Sequence, residues 1–507
     1  MSAELNSFVY ACASLAVGLV VFAILAVPVA RSLVLRQLAP ALIASQALAF
    51  FSPNLVLLNA AMIFTIPIVA RQRYHVAPIY LFLLLTLPTL QYPLVLNTFY
   101  IVSYGVDTSL GIGALFAVFL TSRDYRSTTV TSDVLISVLW LYLVLILSRS
   151  TSLTNYIRIA LDQALLLLLP YAIFRKTLSS HRNVQYAIIG LIAASMALSA
   201  LAVFEALRSW PIYRTVYDHY HLILGSDASV KIRAGLLRSP GPFTEPTSFA
   251  FCLTIGAIIL LSARSIFGSR NGWSCAVLIV LIGLLAPQSR GAWLGAVIGA
   301  LALLWYRRDW GALWKQLFAA TFAVGIVAVL SFLSGRLSAA VNFYGGLSLG
   351  GDYRVSLLSR GIEEFWKRPW TGASVPDVLF YLRDLIQGEG LVDFVNTYLF
   401  MALVGGIIGL VIFLGILTTP LFILLRARSR FFRARVNFRL LQVNRASVWF
   451  ALLASTLAML ALTSLGARTS ILLTLVILLA STVSKFGTDI VSISPPTRRD
   501  LVKVDRR

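Results

Sequence analysis

Charge is scarce in this sequence, and most of what there is has one sign. Only 12% of the 507 residues are charged, with 20 acidic residues set against 42 lysines and arginines. So little charge beside 59% hydrophobic residues excludes a water-soluble globular domain, in which roughly a quarter of the residues are charged. Cysteine is equally thin. Cys12, Cys252 and Cys275 all fall inside apolar segments, so they read as small packing residues and give no disulfide framework or zinc site. An Asp-x-Asp metal motif is missing, as is any internal repeat. A basic stretch ahead of the first apolar run is missing too. Only Glu4 precedes that run, which excludes the n-region of a cleaved signal peptide.

What is there instead is one apolar segment after another. A helix needs roughly 20 apolar residues to cross the hydrocarbon core, and in lipid each span must satisfy its own backbone hydrogen bonds, so helices are expected. The expected spans are 8–29, 37–51, 53–70, 77–95, 105–121, 131–148, 156–174, 184–206, 244–263, 273–288, 291–306, 316–333, 395–425, 447–464 and 469–484. The expected fold is an all-α polytopic membrane protein of about 13–15 transmembrane helices.

Lysine and arginine orient the chain, because they accumulate in cytoplasmic loops. The clusters Arg31/Arg36, Arg71/Arg73, Arg123/Arg126, Arg175/Lys176/Arg182, Arg264/Arg270, Arg307/Arg308/Lys315, Arg426 to Arg445 and Lys485 to Arg507 share one side if every span crosses. That side is read as the cytoplasm. The resulting parts are transmembrane helices at 1–206, an extracytoplasmic loop at 207–243, more helices at 244–333, a large extracytoplasmic loop at 334–394, the last helices at 395–484 and a basic tail at 485–507. The net charge of +22 is then topogenic charge that also attracts anionic lipid headgroups. Nucleic acid is not an expected partner. The densest cluster, Arg426 to Arg445, has aromatic and aliphatic residues among its arginines and reads as an interfacial helix.

Eleven basic residues fall on the other side. They are Arg208, Arg214, Lys231, Arg233 and Arg238 in the first outer loop, and Arg336, Arg354, Arg360, Lys367, Arg368 and Arg383 in the second. Long outer loops carry positive charge without changing topology, so these residues are available for an anionic substrate. Arginine's planar fork matches phosphate. In the second loop, Asp352 is placed to cap a helix in which Val355, Leu358, Ile362 and Phe365 form an apolar face. Glu363 with Lys367, or Arg360 with Glu364, would pair along it at i,i+4. A second helix is expected from Pro376 to Gly388.

Single residues at membrane boundaries carry the candidate chemistry. Glu245 stands seven residues after Arg238 and directly before Pro246, where a carboxylate is either a general base or a stabiliser of the helix start. Asp393 and Glu389 are alternatives for the base. Arg290 lies in a short turn between two spans, where it either binds an anion or snorkels to the interface. Gly291, Gly295 and Gly299 recur every fourth residue and read as a helix-packing face. His219 and His221 lack a third ligand, so a metal there is a weak reading. Trp210, Tyr213, Tyr217, Tyr220, Phe343 and Tyr344 either stack on sugar rings or form an interfacial belt.

The segments "RSPGPFTEPTSFA", "PQSRGAWLG", "GDYRVSLLSRGIEEFWKRPWTG" and "VNTYLFMALVGGIIGL" occur in that order. Together, over roughly residues 235 to 425, they resemble the O-antigen ligase and Wzy-type polysaccharide polymerase superfamily. The resemblance implies a bacterial inner-membrane glycosyltransferase of the GT-C type, active on the periplasmic face. Its partners would be an undecaprenyl-pyrophosphate-linked oligosaccharide, a growing polysaccharide acceptor and membrane lipids. Where ligases of the group have His before the Asn of the last motif, this chain has Val395 before Asn396, which favours an O-antigen or exopolysaccharide polymerase over a ligase. The site assignments that follow are Glu245 and Arg238 as catalytic, Arg290, Arg354 and Arg360 for the donor pyrophosphate and Asn396 for substrate positioning, with no cofactor. Metal-independent transfer is expected, since arginines can hold a pyrophosphate leaving group. A flippase of the same lipid-linked glycan is the rival, but a transporter's charges belong near the bilayer midplane.

Overall fold

The computed structural model describes residues 3–96, 99–121, 130–222, 231–233, 236–315, 345–386, 392–433 and 439–482. Apart from 316–333, which lies outside the described residues, and the second half of 77–95, the expected spans fall on helices. Among the described residues, five helices are long and apolar enough to cross a membrane: Ala3–Leu25, Pro28–Phe51, Leu153–Thr177, His181–Arg208 and Thr397–Ser429. Shorter apolar helices, among them Val106–Thr121, Pro246–Ser262 and Ala467–Thr482, pack between them. The protein is an all-α polytopic membrane protein. Val17, Ile24 and Ile68 are 59%, 68% and 77% exposed, an arrangement that water would penalise and lipid satisfies.

The helix His181–Arg208 runs through the middle of the bundle and touches Ala3–Leu25, Arg73–Thr86, Pro246–Ser262 and Arg270–Leu285. Its small residues allow those crossings to be tight. A Cβ on Gly190 would strike the backbone of Pro78, and one on Gly18 would strike that of Met196. The glycine face of Arg290–Arg307 behaves as its spacing requires: side chains on Gly295 and Gly299 would collide with Met459 and Ile258.

Two helices contain a π turn, Val34–Leu38 and Ala164–Leu168. Each turn lies just before a proline, Pro40 or Pro170. Proline has no N–H for the carbonyl four residues back, so the ladder locally shifts to bonds five residues apart; the amide of Leu169 bonds the carbonyl of Ala164.

The expected span 77–95 is corrected by the structure. Its helix stops at Thr86, because Leu87 precedes Pro88 and adopts φ −93°, ψ 150°. Residues Gln91–Leu96 and Phe99–Gly105 instead form an antiparallel hairpin, rich in the aromatic and β-branched residues that strands favour. The basic cluster after Arg426 is corrected as well. Its first part, to Arg433, continues the Thr397 helix and is anchored by Arg428. That guanidinium donates to the carbonyls of Tyr306 and Trp305 at 3.1 and 3.0 Å and lies 4.1 Å from the Trp305 ring centroid.

The helix Gly345–Lys367 begins before Asp352, which therefore lies inside the helix and not at its start. Its ion pairs are one residue closer than expected, Arg360–Glu363 at 3.0 Å and Lys367–Glu364 at 2.6 Å. The following helix, Val375–Tyr381, is capped by Ser374 and is shorter than expected. The intervening loop is stitched into a break in the Thr397 helix. Gly406 has φ 63° and ψ −164°, and the amide groups released there are taken by the loop: Ile407 donates to Pro369 at 2.7 Å and Ile408 to Trp370 at 3.4 Å. Ala373 returns a bond to Leu403 at 2.8 Å. Arg149 closes the joint by donating to Val404 at 2.9 Å, Gly372 at 3.3 Å and also Thr371. A broken membrane helix persists only when other protein groups satisfy its backbone. Here they also tie the C-terminal end of the Gly345 helix to the Thr397 helix.

Candidate active site

The turn Arg238–Glu245 is held from two sides. From below, Glu205 on the central helix is fully buried. Its carboxylate accepts from Ser239 Oγ at 2.6 Å, Gly241 N at 2.9 Å and Ile212 N at 3.1 Å. From the side, the Pro242 carbonyl accepts from the Thr89 amide and hydroxyl, each at 3.1 Å, and from Arg468 Nη1 at 3.1 Å. Gly241 sits at φ +53° with the Phe249 ring where a Cβ would be, so only glycine fits.

This fixed turn delivers Glu245 to the position just before the helix Pro246–Ser262. Its carboxylate does not cap the helix backbone. Instead it accepts from the hydroxyls of Thr247 and Ser248, both at 3.3 Å. The side chain is half-buried and lines a cavity of about 350 Å³ together with Asp393, Gln163, Thr397, Ser464 and Ser470. Two of the three carboxylates singled out in the sequence as possible bases thus share one cavity. The third, Glu389, lies outside the described residues.

Arg238 donates through Nε to the carbonyl of Pro287 at 3.3 Å, which ties it to the turn that leads into Arg290. Arg290 is the first residue of its helix and is exposed. Gly291 beside it packs on Leu462, close to the Ser464 and Leu465 that line the cavity. Arg354 lies in electrostatic reach of both sides of this arrangement. Surrounding protein lowers its pKa although much of its surface reaches solvent, Asp393 opposes that shift and Arg290 adds to it. Tyr353 donates from its hydroxyl to the Asp393 carbonyl at 3.0 Å. Burial first, and then Asp393, raise the tyrosine's pKa. Four helices therefore begin at this end of the bundle, at Pro246, Arg290, Thr397 and Ala467, and their positive dipole ends face the same region as the arginines.

The remaining assigned residues have other contacts. Arg360 pairs with Glu363 at 3.0 Å and Asp384 at 3.3 Å on an exposed face, and it does not line the cavity. Asn396 caps the Thr397 helix, its Oδ1 accepting from the amides of Tyr398 and Leu399 at 3.0 and 3.2 Å. Tyr213 and Tyr217 are 1% and 4% exposed, so they are core residues and offer no face to a sugar; Phe343 and the side chain of Tyr344 lie outside the described residues. His219 bonds Glu4 at 3.2 Å and the Ser52 carbonyl at 3.0 Å. Among the described residues, no three His, Cys, Asp or Glu side chains gather in a way that could hold a metal ion.

Sequence reasoning missed Glu205, Gln163 and above all the pair Asp107–Arg468. Arg468 is 3% exposed. It bonds Asp107 through Nη2 at 2.7 Å and Nε at 3.0 Å, and donates to the carbonyls of Pro242 and Leu87. In the sequence each is a lone charge at the start of an apolar run, which resembles an ordinary membrane-boundary residue, and nothing in the spacing joins positions 361 residues apart.

No curated protein matches the sequence. A family model described as O-antigen ligase matches residues 275–414, a stretch that includes Arg290, Arg354, Arg360, Asp393 and Asn396, while Arg238 and Glu245 precede it. Over those residues the chain is similar to the O-antigen ligase family.

Proposed function

We propose that the protein is a polysaccharide polymerase, a GT-C glycosyltransferase that moves glycan from an undecaprenyl-pyrophosphate carrier to an acceptor sugar on the periplasmic face of the bacterial inner membrane. The observation that carries this reading is the cavity shared by Glu245 and Asp393, with Arg354 in electrostatic reach of both Asp393 and Arg290. An acceptor hydroxyl there attacks the anomeric carbon of the donor sugar. A new C–O bond forms, the bond to the pyrophosphate oxygen breaks with its electron pair, and the hydroxyl proton passes to Glu245. The lipid pyrophosphate leaves as an anion, and Arg238, Arg290 and Arg354 stabilise the charge that develops on it. Arginines and helix N-termini supply this stabilisation, so no divalent cation is assigned a part. Asn396 sets the start of the helix that contributes Thr397 to the wall.

Protein in lipid nanodiscs, given a lipid-linked oligosaccharide, should yield a ladder of products that differ by one repeat unit. The ladder should persist in EDTA. Absence of any lengthened glycan overturns the reading, and activity lost in EDTA but restored by magnesium overturns its metal independence. The family match favours a second reading, an O-antigen ligase. Transfer of preformed glycan to a lipid A core, without a ladder, would establish it instead.

The same proposal fixes the topology. Single cysteines at Ser356 and Leu379, in a background lacking Cys12, Cys252 and Cys275, should react with a membrane-impermeant maleimide in intact spheroplasts. Labelling that requires lysis would place the site on the cytoplasmic side.

A further inference from the structure

A second cavity, of about 260 Å³, adjoins the first. Gln163 and Leu166 line both, so one stretch of the Leu153–Thr177 helix is a wall of each. That stretch is the π turn Ala164–Leu168 and the residue before it. Single π turns inside α-helices recur at functional sites, and this one turns neighbouring side chains toward two compartments. The opposite wall is the hairpin the sequence did not announce, which contributes Gln91 and Ser103. Asp107 and Thr108 come from the start of the next helix.

Polar side chains make up much of the lining. Six of its eleven residues are polar: Gln91, Ser103, Asp107, Thr108, Asp162 and Gln163. Such side chains offer hydrogen-bond partners to a polar ligand. Two carboxylates and no lining Lys or Arg make it a poor seat for pyrophosphate, whose negative charge they repel. A sugar ring fits this chemistry. Its neighbouring hydroxyls both donate and accept; a carboxylate accepts from two of them, and a primary amide does both. Asp107 is committed to Arg468. Asp162 accepts from the Ser103 amide at 3.1 Å, which holds the hairpin against the helix and shapes the cavity.

We propose that this cavity is the acceptor subsite, holding a neutral, hydroxyl-bearing sugar at the growing end of the polysaccharide, with Gln163 and Asp162 as its recognition residues. The inference rests on the proposed transferase reading. The donor's charge is drawn to the arginine side, the acceptor's hydroxyls to the acidic side, and the two sugars meet at Gln163 beside Glu245. Specificity for the acceptor then resides in the N-terminal half of the chain, outside the segment that matches the family model.

The test uses full-length protein in nanodiscs and, as probe, the lipid-free repeat-unit oligosaccharide obtained by mild acid depolymerisation of the host's own polysaccharide. Binding is followed by saturation-transfer NMR. The parent should bind the oligosaccharide, and Glu245→Gln should bind it equally. Asp162→Asn and Gln163→Ala should each weaken it about ten-fold, the worth of one lost hydrogen bond to a sugar hydroxyl. For Asp162→Asn, whose residue lines only the second cavity, acceptor KM should rise in parallel, with kcat and lipid-linked donor binding nearly unchanged. Asn at 162 keeps an oxygen for the Ser103 amide, so this variant decides the matter if Gln163→Ala fails to fold. Equal affinity in the parent and Asp162→Asn, or no binding by the parent, overturns the subsite. Oligosaccharide binding of the expected pattern without any glycan transfer overturns the transferase reading and leaves a glycan-binding cavity. Transfer with unaltered acceptor affinity does the reverse.

Discussion

Glu245→Gln should bind lipid-linked donor as the parent does and form polymer roughly 100-fold or more slowly, the usual loss when a general base is removed. The structure makes this substitution informative. Gln keeps an Oε1 that can accept from Thr247 and Ser248, as the carboxylate does at 3.3 Å, and Glu245 makes no cap to the helix backbone that could be lost. The turn before it is also held by Glu205 and Arg468. A role confined to starting the helix therefore predicts near-normal turnover with a modest loss of thermal stability. Asp393 shares the cavity and provides the internal control. If Asp393→Asn is the variant that loses about two orders of magnitude while Glu245→Gln remains active, the base is Asp393. Arg238→Lys keeps the charge but gives up the planar fork, so it should also slow turnover. Measuring donor binding and ladder formation on the same samples separates loss of chemistry from loss of substrate.

The fold was legible because lipid leaves the chain few choices. Long apolar runs mostly become helices, and each expected span from 8–29 to 469–484, outside 316–333 and the second half of 77–95, lies on one. The errors occur where the backbone departs from a single uninterrupted helix. The hairpin Gln91–Leu96/Phe99–Gly105 was hidden because its residues are as apolar as the span before it, and hydropathy does not distinguish a strand from the end of a helix. The break at Gly406 was hidden because the groups that satisfy it, Pro369, Trp370 and Arg149, come from distant segments. The spacing of Gly291, Gly295 and Gly299 did reveal a packing face, since that requires only one helix to be read.

The candidate site was legible to the extent that its residues stand at membrane boundaries. Arg238, Glu245, Arg290 and Asp393 were each visible as charges beside a proline, a turn or an apolar run. Their assembly was not visible, because it depends on which helices begin side by side. Arg360 shows the limit in the other direction. Its charge looked like that of Arg354, but its position six residues on turns it to Glu363 and Asp384 on an exposed face. Such pairs contribute little to stability. Glu205 had no signal at all: a single acid near the end of a span gives no hint that three donors from the next loop converge on it.

Arg468→Met should be among the most damaging single substitutions in the protein, lowering stability by about 3–5 kcal/mol through the exposure of one unpaired buried charge. The change leaves Asp107, 8% exposed, without the two nitrogens that now lie 2.7 and 3.0 Å from it. It also removes a donor from the Pro242 carbonyl, which keeps Thr89, and from that of Leu87. The expected measurement is a strong fall in folded yield and in the midpoint of thermal unfolding in detergent. Asp107→Leu alone should be comparably harmful, because it strands the guanidinium. The double substitution tests the cause. Replacing both charges by apolar side chains abolishes the unpaired ion, so Arg468→Met with Asp107→Leu should recover most of the lost stability. It should not recover all activity. Without Arg468 the Pro242 carbonyl is held by Thr89 alone, and the turn that carries Arg238 and Glu245 loses the tie between it and the last helix. A double variant as unstable as the singles would show that Arg468 matters for its bonds to the Pro242 and Leu87 carbonyls more than for its charge. A stable double variant with full polymer formation would show that the ion pair serves the fold only, and that Glu205 and Thr89 suffice to aim Glu245 into its cavity.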